Sequence, residues 1–142
     1  MFTKVLLTVD LSHEASWKKA LPVAADLATQ GSGELHLLTI VPEIGSVLVV
    51  QDLGEGFVKK AMADALADLK ALRKTAANWP PEVREHVRYG TVHSEIVAAI
   101  DELGADLVVM ASHAPDRIRE FLVGSQADRV VRRSPVSVLV VR

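Results

Sequence analysis

Short apolar runs and Ala/Leu-rich helical stripes alternate along this chain from end to end, and that alternation leaves few folds open. Residues 4–9 form an apolar run that feeds Asp10. Trp17, Ala20, Leu21, Ala24, Ala25 and Ala28 then recur at helical spacing, in a helix opened by Ser12 or His13. Pro22 sits inside that stretch and predicts a kink near Lys18. Gly31-Ser32-Gly33 ends the helix, and residues 34–41 read as a second strand. From Pro42 to about Gly54 the chain has no periodicity and reads as a loop. Phe57, Val58, Ala61, Met62, Ala65, Leu66, Leu69 and Leu72 make a stripe that predicts a long amphipathic helix through about Ala77.

Asn78-Trp79-Pro80-Pro81 stops it, and residues 83–89 give a third strand of weaker apolar content. Gly90 to His93 turns into a helix over 94–103 with Gly104 after its end. Residues 106–110 are a fourth strand, 124–133 a helix, and 137–142 a last strand reached through Ser134-Pro135. The order βαβαβαβαβ calls for right-handed crossovers and a parallel sheet with helices on both faces. A strand order of 3-2-1-4-5, flavodoxin-like or Rossmann-like, follows as the expected α/β architecture.

Composition agrees and excludes several functions. At 142 residues the chain is expected to be one domain, 1–142, with a core of Val, Leu, Ile and Ala, since 49% of residues are hydrophobic and only 4% aromatic. Net charge is −2, which gives no nucleic-acid footprint. With no cysteine, thiol catalysis, disulfides and cysteine-ligated zinc are ruled out. The first apolar stretch meets Asp10 too early for a signal peptide, and no apolar run is long enough to span a membrane. A cytoplasmic location without membrane insertion is the expectation.

The segment most telling of function is 107–125, LVVMASHAPDRIREFLVGS. A buried strand breaks into a polar turn, Ala111-Ser112-His113-Ala114-Pro115-Asp116, and a helix begins at Gly124-Ser125. Backbone N–H groups in such a loop, with a helix N-terminus beside them, make a phosphate cradle. Ligands of open α/β sheets bind beyond the carboxyl ends of the strands where strand order reverses. In this order that point lies between strands one and four. Thr8-Val9-Asp10 ends the first and Met110-Ala111 the fourth. Asp10 suits a ribose or magnesium contact, and the competing role is a helix cap or turn start. Gly124 allows close backbone approach and Ser125 offers a hydroxyl, again with a plain helix start as the alternative. No Gly-x4-Gly-Lys-Ser/Thr and no Gly-x-Gly-x-x-Gly after a strand is present.

This segment resembles the universal stress protein family, whose signature is Gly-x-x-Gly, nine residues, then Gly-Ser/Thr. Ala111 and Ala114 stand at the first two glycine positions, 115–123 supply the spacer, and Gly124-Ser125 closes the motif. One branch of the family carries Ala-Ser-His-x-Pro-Asp here, as this chain does. The resemblance runs from VLLTVD to SPVSVLVVR. It implies an adenine nucleotide, ATP or AMP, as a regulatory ligand, with Mg at Asp10 as an accompanying ion. It implies binding residues Thr8, Val9, Asp10, Ile40, Met110, Ala111, His113, Ala114, Gly124, Ser125 and Gln126, with Ile40 against adenine, and no catalytic residue. Function would come through nucleotide-dependent association with a regulatory protein, such as a transporter. The alternatives are a dimeric interaction protein that does not bind nucleotide and a slow ATP hydrolase.

Ser112, His113 and Asp116 lie too close in sequence to form a hydrolase triad. His13, His36, His86 and His93 show no paired metal spacing and are expected to be solvated or to cap helices. The last strand, with Val138 to Val141 consecutive and apolar, is expected at a sheet edge with both faces buried. A homodimer through that strand follows as an expectation.

Overall fold

The computed structural model describes residues 1–43, 54–75, 78–112 and 125–142. Five parallel strands, β1 (Lys4–Thr8), β2 (Glu34–Pro42), β3 (Glu82–Gly90), β4 (Leu107–Ala111) and β5 (Ser137–Val141), form one sheet in the order β3-β2-β1-β4-β5. Among the described residues the α-helices are α1 (Ala20–Gln30), α2 (Glu55–Ala71), α3 (Val92–Leu103) and α4 (Ser125–Arg133). The expected α/β architecture is therefore the observed one.

Period-2 alternation along the strands sorts the core into two halves. Val5, Leu7, Leu35, Leu37, Leu107 and Val109 pack against α1 and the end of α2. Leu6, Leu38, Val108 and Met110 face the other way, against Ile96, Ala99 and Ile100 of α3 and Ala127 and Val130 of α4. Burial on both faces is why β1 and β4 read as continuous apolar runs.

Several boundaries differ from the sequence reading, each for a local reason. The segment after Asp10 is not yet α1: a 3-10 turn, Glu14–Ser16, precedes a helix that starts at Ala20. Pro22 is thus the third residue of α1, where a backbone N–H has no intrahelical acceptor, and no kink is needed. The long helix stops at Ala71 and tightens into a 3-10 turn, Leu72–Lys74, instead of running to Ala77. Its last carbonyls are taken locally: Leu72 C=O accepts from the Thr75 hydroxyl at 2.7 Å, and Arg73 C=O accepts from the Trp79 indole N–H at 2.8 Å. Ala76 and Ala77 lie outside the described residues. α3 begins two residues early, at Val92.

The turn between α1 and β2 passes under the start of β1. A Cβ on Gly33 would sit 2.2 Å from the Thr3 carbonyl oxygen, so backbone contact fixes glycine there. The edge strand β5 is less covered than expected. Ser137 and Leu139 are exposed, Leu139 at 37%, while Val138, Val140 and Val141 are half-buried. Among the described residues, one face of β5 therefore lacks cover. Among the described residues, no helix is long and apolar enough to cross a membrane.

Candidate functional site

β1 delivers Asp10 to the carboxyl edge of the sheet, and a buried serine holds it there. Val9 N–H donates to Leu38 C=O at 2.8 Å, continuing the β1–β2 pairing one residue past the strand. Asp10 N–H then donates to the Ser16 hydroxyl at 2.9 Å, and that hydroxyl donates to Asp10 C=O at 2.8 Å. Ser16 is 4% exposed, so this two-way clamp works out of water. The Asp10 carboxylate starts an Asx turn, accepting Ser12 N–H at 3.0 Å, with His13 Nδ1 3.1 Å from its other oxygen. The turn-start role is thus filled, and the side chain remains half exposed at the cleft rim.

Beside this turn lies a cavity of about 540 Å³ at the ends of β1, β2 and β4. That volume suits a small organic ligand. β1 contributes Thr8 and the chain beyond it Val9 and Asp10; β2 contributes Leu38 to Pro42, and β4 Met110 and Ala111. Val92 and Ile96 of α3, Gln126 and Ala127 of α4, and one face of α2 complete the wall. Gln126 carries a buried side-chain oxygen with no hydrogen-bond partner among the described residues. A buried acceptor left unpaired costs about 1–3 kcal/mol.

Of the residues expected in a site, Thr8, Val9, Asp10, Ile40, Met110, Ala111 and Gln126 line this one cavity. Ser125 opens α4 but is exposed and is not part of the lining. His113, Ala114 and Gly124 lie outside the described residues. Ala111 ends β4 in register with Val141, and the next N–H, from Ser112, donates to Val141 C=O at 2.8 Å. Its backbone is ordinary strand, so the family's glycine is not needed there for conformation.

Two parts of the site escaped the sequence reading. Thr39 is buried and adds a polar group beside Ile40. Asp64 and Asp68 of α2 reach the rim one helical turn apart. Both aspartates flank the apolar stripe that was read only as core. The histidines also need correction. His36 is 3% exposed, neither solvated nor capping, and bonds His86 across two strands.

An open parallel sheet in this strand order, with a cleft at the reversal, is a doubly wound α/β fold. The model of the universal stress protein family matches residues 1–142, and the chain belongs to that family. It is 32% identical to universal stress protein G of Escherichia coli O157:H7 over 144 residues, covering all of both chains. The fold is similar to that of MJ0577, a Methanocaldococcus jannaschii universal stress protein, with a TM-score of 0.74, 24% identity, and 99% and 96% of the two chains covered. A universal stress protein solved in complex with cAMP gives a TM-score of 0.65 at 22% identity, covering 99% and 97%. One from Archaeoglobus fulgidus in complex with dAMP gives 0.61 at 21%, covering 99% and 98%.

Proposed function

We propose that this chain binds an adenine nucleotide, ATP or AMP, in the cleft at the ends of β1, β2 and β4, as a regulatory ligand. The observation that carries the reading is the cavity itself: a volume of about 540 Å³ at the strand-order reversal, mostly apolar, with Gln126 in its wall. Relatives of the same fold solved with cAMP and with dAMP support the base and ribose class. In this reading Ile40 and Val41 flank the adenine, Asp10 and Thr39 meet polar groups, and the loop from Ala111 with Gly124-Ser125 receives phosphate.

A cation arriving with the phosphates would find Asp10 as its protein ligand. Magnesium is commonly held by one or two carboxylates with substrate phosphates and water. Asp10 fits that pattern, because each carboxylate oxygen can accept more than the one contact the turn uses. Among the described residues no cluster of three or more metal-ligating side chains offers a cage of its own. Signalling would follow from nucleotide-dependent association of a cytoplasmic homodimer, joined along β5, with a protein partner.

Titration calorimetry with ATP, AMP and cAMP tests the reading. One of them is expected to bind with heat that saturates at one site per chain. Gln126→Ala is expected to weaken that binding about tenfold, or 1.4 kcal/mol, by removing one ligand hydrogen bond. No saturable heat from any of the three, on folded protein, would refute it.

A further inference from the structure

Beside the cleft, toward the β3 edge of the sheet, three titratable side chains are joined in a row. His36 lies on β2 with the parity of Leu38, facing the α3 side of the sheet. It is buried, and its Nε2 is 2.8 Å from Glu34 Oε2. Its Nδ1 is 2.8 Å from Nε2 of His86, which sits on β3 opposite Leu38. The two ring planes are 13° from parallel with centroids 5.1 Å apart. With two nitrogens only 2.8 Å apart, that separation means rings lying end to end in nearly one plane, each nitrogen aimed at the other.

This geometry dictates where the protons are. A carboxylate only accepts, so His36 Nε2 carries the hydrogen toward Glu34. The hydrogen bond from His36 holds the Glu34 carboxyl below the ordinary carboxylate range, with burial opposing and Lys4 and Arg84 assisting. In neutral His36 the Nδ1 is then a lone pair, so His86 Nε2 must carry the single proton between the rings. A first added proton still leaves one hydrogen between the facing nitrogens, whichever ring carries the charge, and the bond stands. A second would place N–H groups on both facing nitrogens and end it.

Few neighbours welcome either proton. Burial is the largest cause holding His86 below the ordinary histidine value, followed by His36 and Arg84, with Arg88 also opposing and Glu85 in favour. The carboxylates of α3 that reach this edge, Glu95 and Glu102, are engaged by Arg88, and Glu82 by Arg84. The α2 residues bordering the same groove are Met62, Ala63 and Leu66, which carry no charge.

We propose that Glu34, His36 and His86 form an acid-released latch that ties the edge strand β3 to β2 at neutral pH and lets it loosen in acid. Unfolded His86 takes its proton at a higher pH than folded His86. Stability is therefore lost as pH falls through the ordinary histidine range, near 6.5, toward the lower folded value. Release reaches the cleft, because Thr39, Ile40 and Val41 pair with Val87, Arg88 and Tyr89 just beyond the latch.

Imidazole nitrogen NMR on the unmodified protein at about pH 8 is expected to show both rings as Nε2–H tautomers. A proton on Nδ1 of either ring at that pH would overturn the latch without any variant. Amide exchange within β3, corrected for intrinsic rates, is expected to quicken about tenfold between about pH 8 and about pH 5. His86→Gln keeps an N–H donor for His36 Nδ1 but cannot titrate. It is expected to match the unmodified protein at the higher pH and to lose the acid response. An acid response of equal size in folded His86→Gln would also overturn the proposal.

Discussion

Ser16→Ala isolates the device that aims Asp10. The Ser16 hydroxyl accepts Asp10 N–H at 2.9 Å and donates to Asp10 C=O at 2.8 Å, from a side chain that is 4% exposed. Alanine removes both bonds and puts nothing polar in their place. Each is worth about 1 kcal/mol net, with more if the backbone N–H stays dry. Asp10 sits at an exposed rim where water can replace part of the loss, which holds the total near 2 kcal/mol. For a chain of this size that is a fall of about 4–8 °C in the unfolding midpoint. Urea denaturation is expected to show a lower midpoint with an unchanged slope, because the surface exposed on unfolding stays the same. Nucleotide affinity is expected to fall with it, since the Asx turn loses its anchor. A folded Ser16→Ala protein within about 0.5 kcal/mol of the original, the range of ordinary surface changes, would show that the turn is held by other means.

At the opposite end of β1, Asp106 accepts Thr3 N–H at 2.8 Å, Lys4 N–H at 3.0 Å and the Thr3 hydroxyl at 3.0 Å. Burial alone would raise its pKa, but these bonds outweigh it and hold the carboxyl below its ordinary value. A depressed carboxyl stabilises the fold above its unfolded pKa and loses that contribution as pH falls through its folded value. Asp106→Asn is expected to cost about 1–2 kcal/mol at neutral pH and to flatten the loss of stability below about pH 4, read by denaturation at each pH. At the other sheet edge, Val138→Lys is expected to shift the dimer proposed through β5 toward monomer in light scattering. An unmodified protein that is monomeric at tens of micromolar, an order-of-magnitude range for specific association, would remove that proposal.

What could be read in the sequence, and what could not, divides along the range of the interactions. β1 and β4 announce themselves because strands buried on both faces need unbroken apolar runs, and the two central strands deliver Thr8 to Asp10 and Met110-Ala111 to one edge. Topology then brings these together without further information. Pro22 misled because proline is tolerated in a first turn as well as feared in an interior, and only the 3-10 turn before Ala20 tells which applies. Asp64 and Asp68 drew no attention because their meaning depends on α2 lying over the cleft. The weak apolar content of β3 has the most physical content. As an edge strand it places Glu82, Arg84, His86 and Arg88 on one face, where charge discourages pairing with another chain. Arg88 is then satisfied by Glu95 and Glu102. His36 and His86 stand 50 residues apart and meet only because the β2–β3 register sets Leu38 opposite His86. Alternation places His36 inward on its own strand, but no pattern in either segment fixes that register. A one-residue slip would turn His86 to the α2 face and leave the buried His36 nitrogen without a partner. The histidine pair thus specifies the register that creates it.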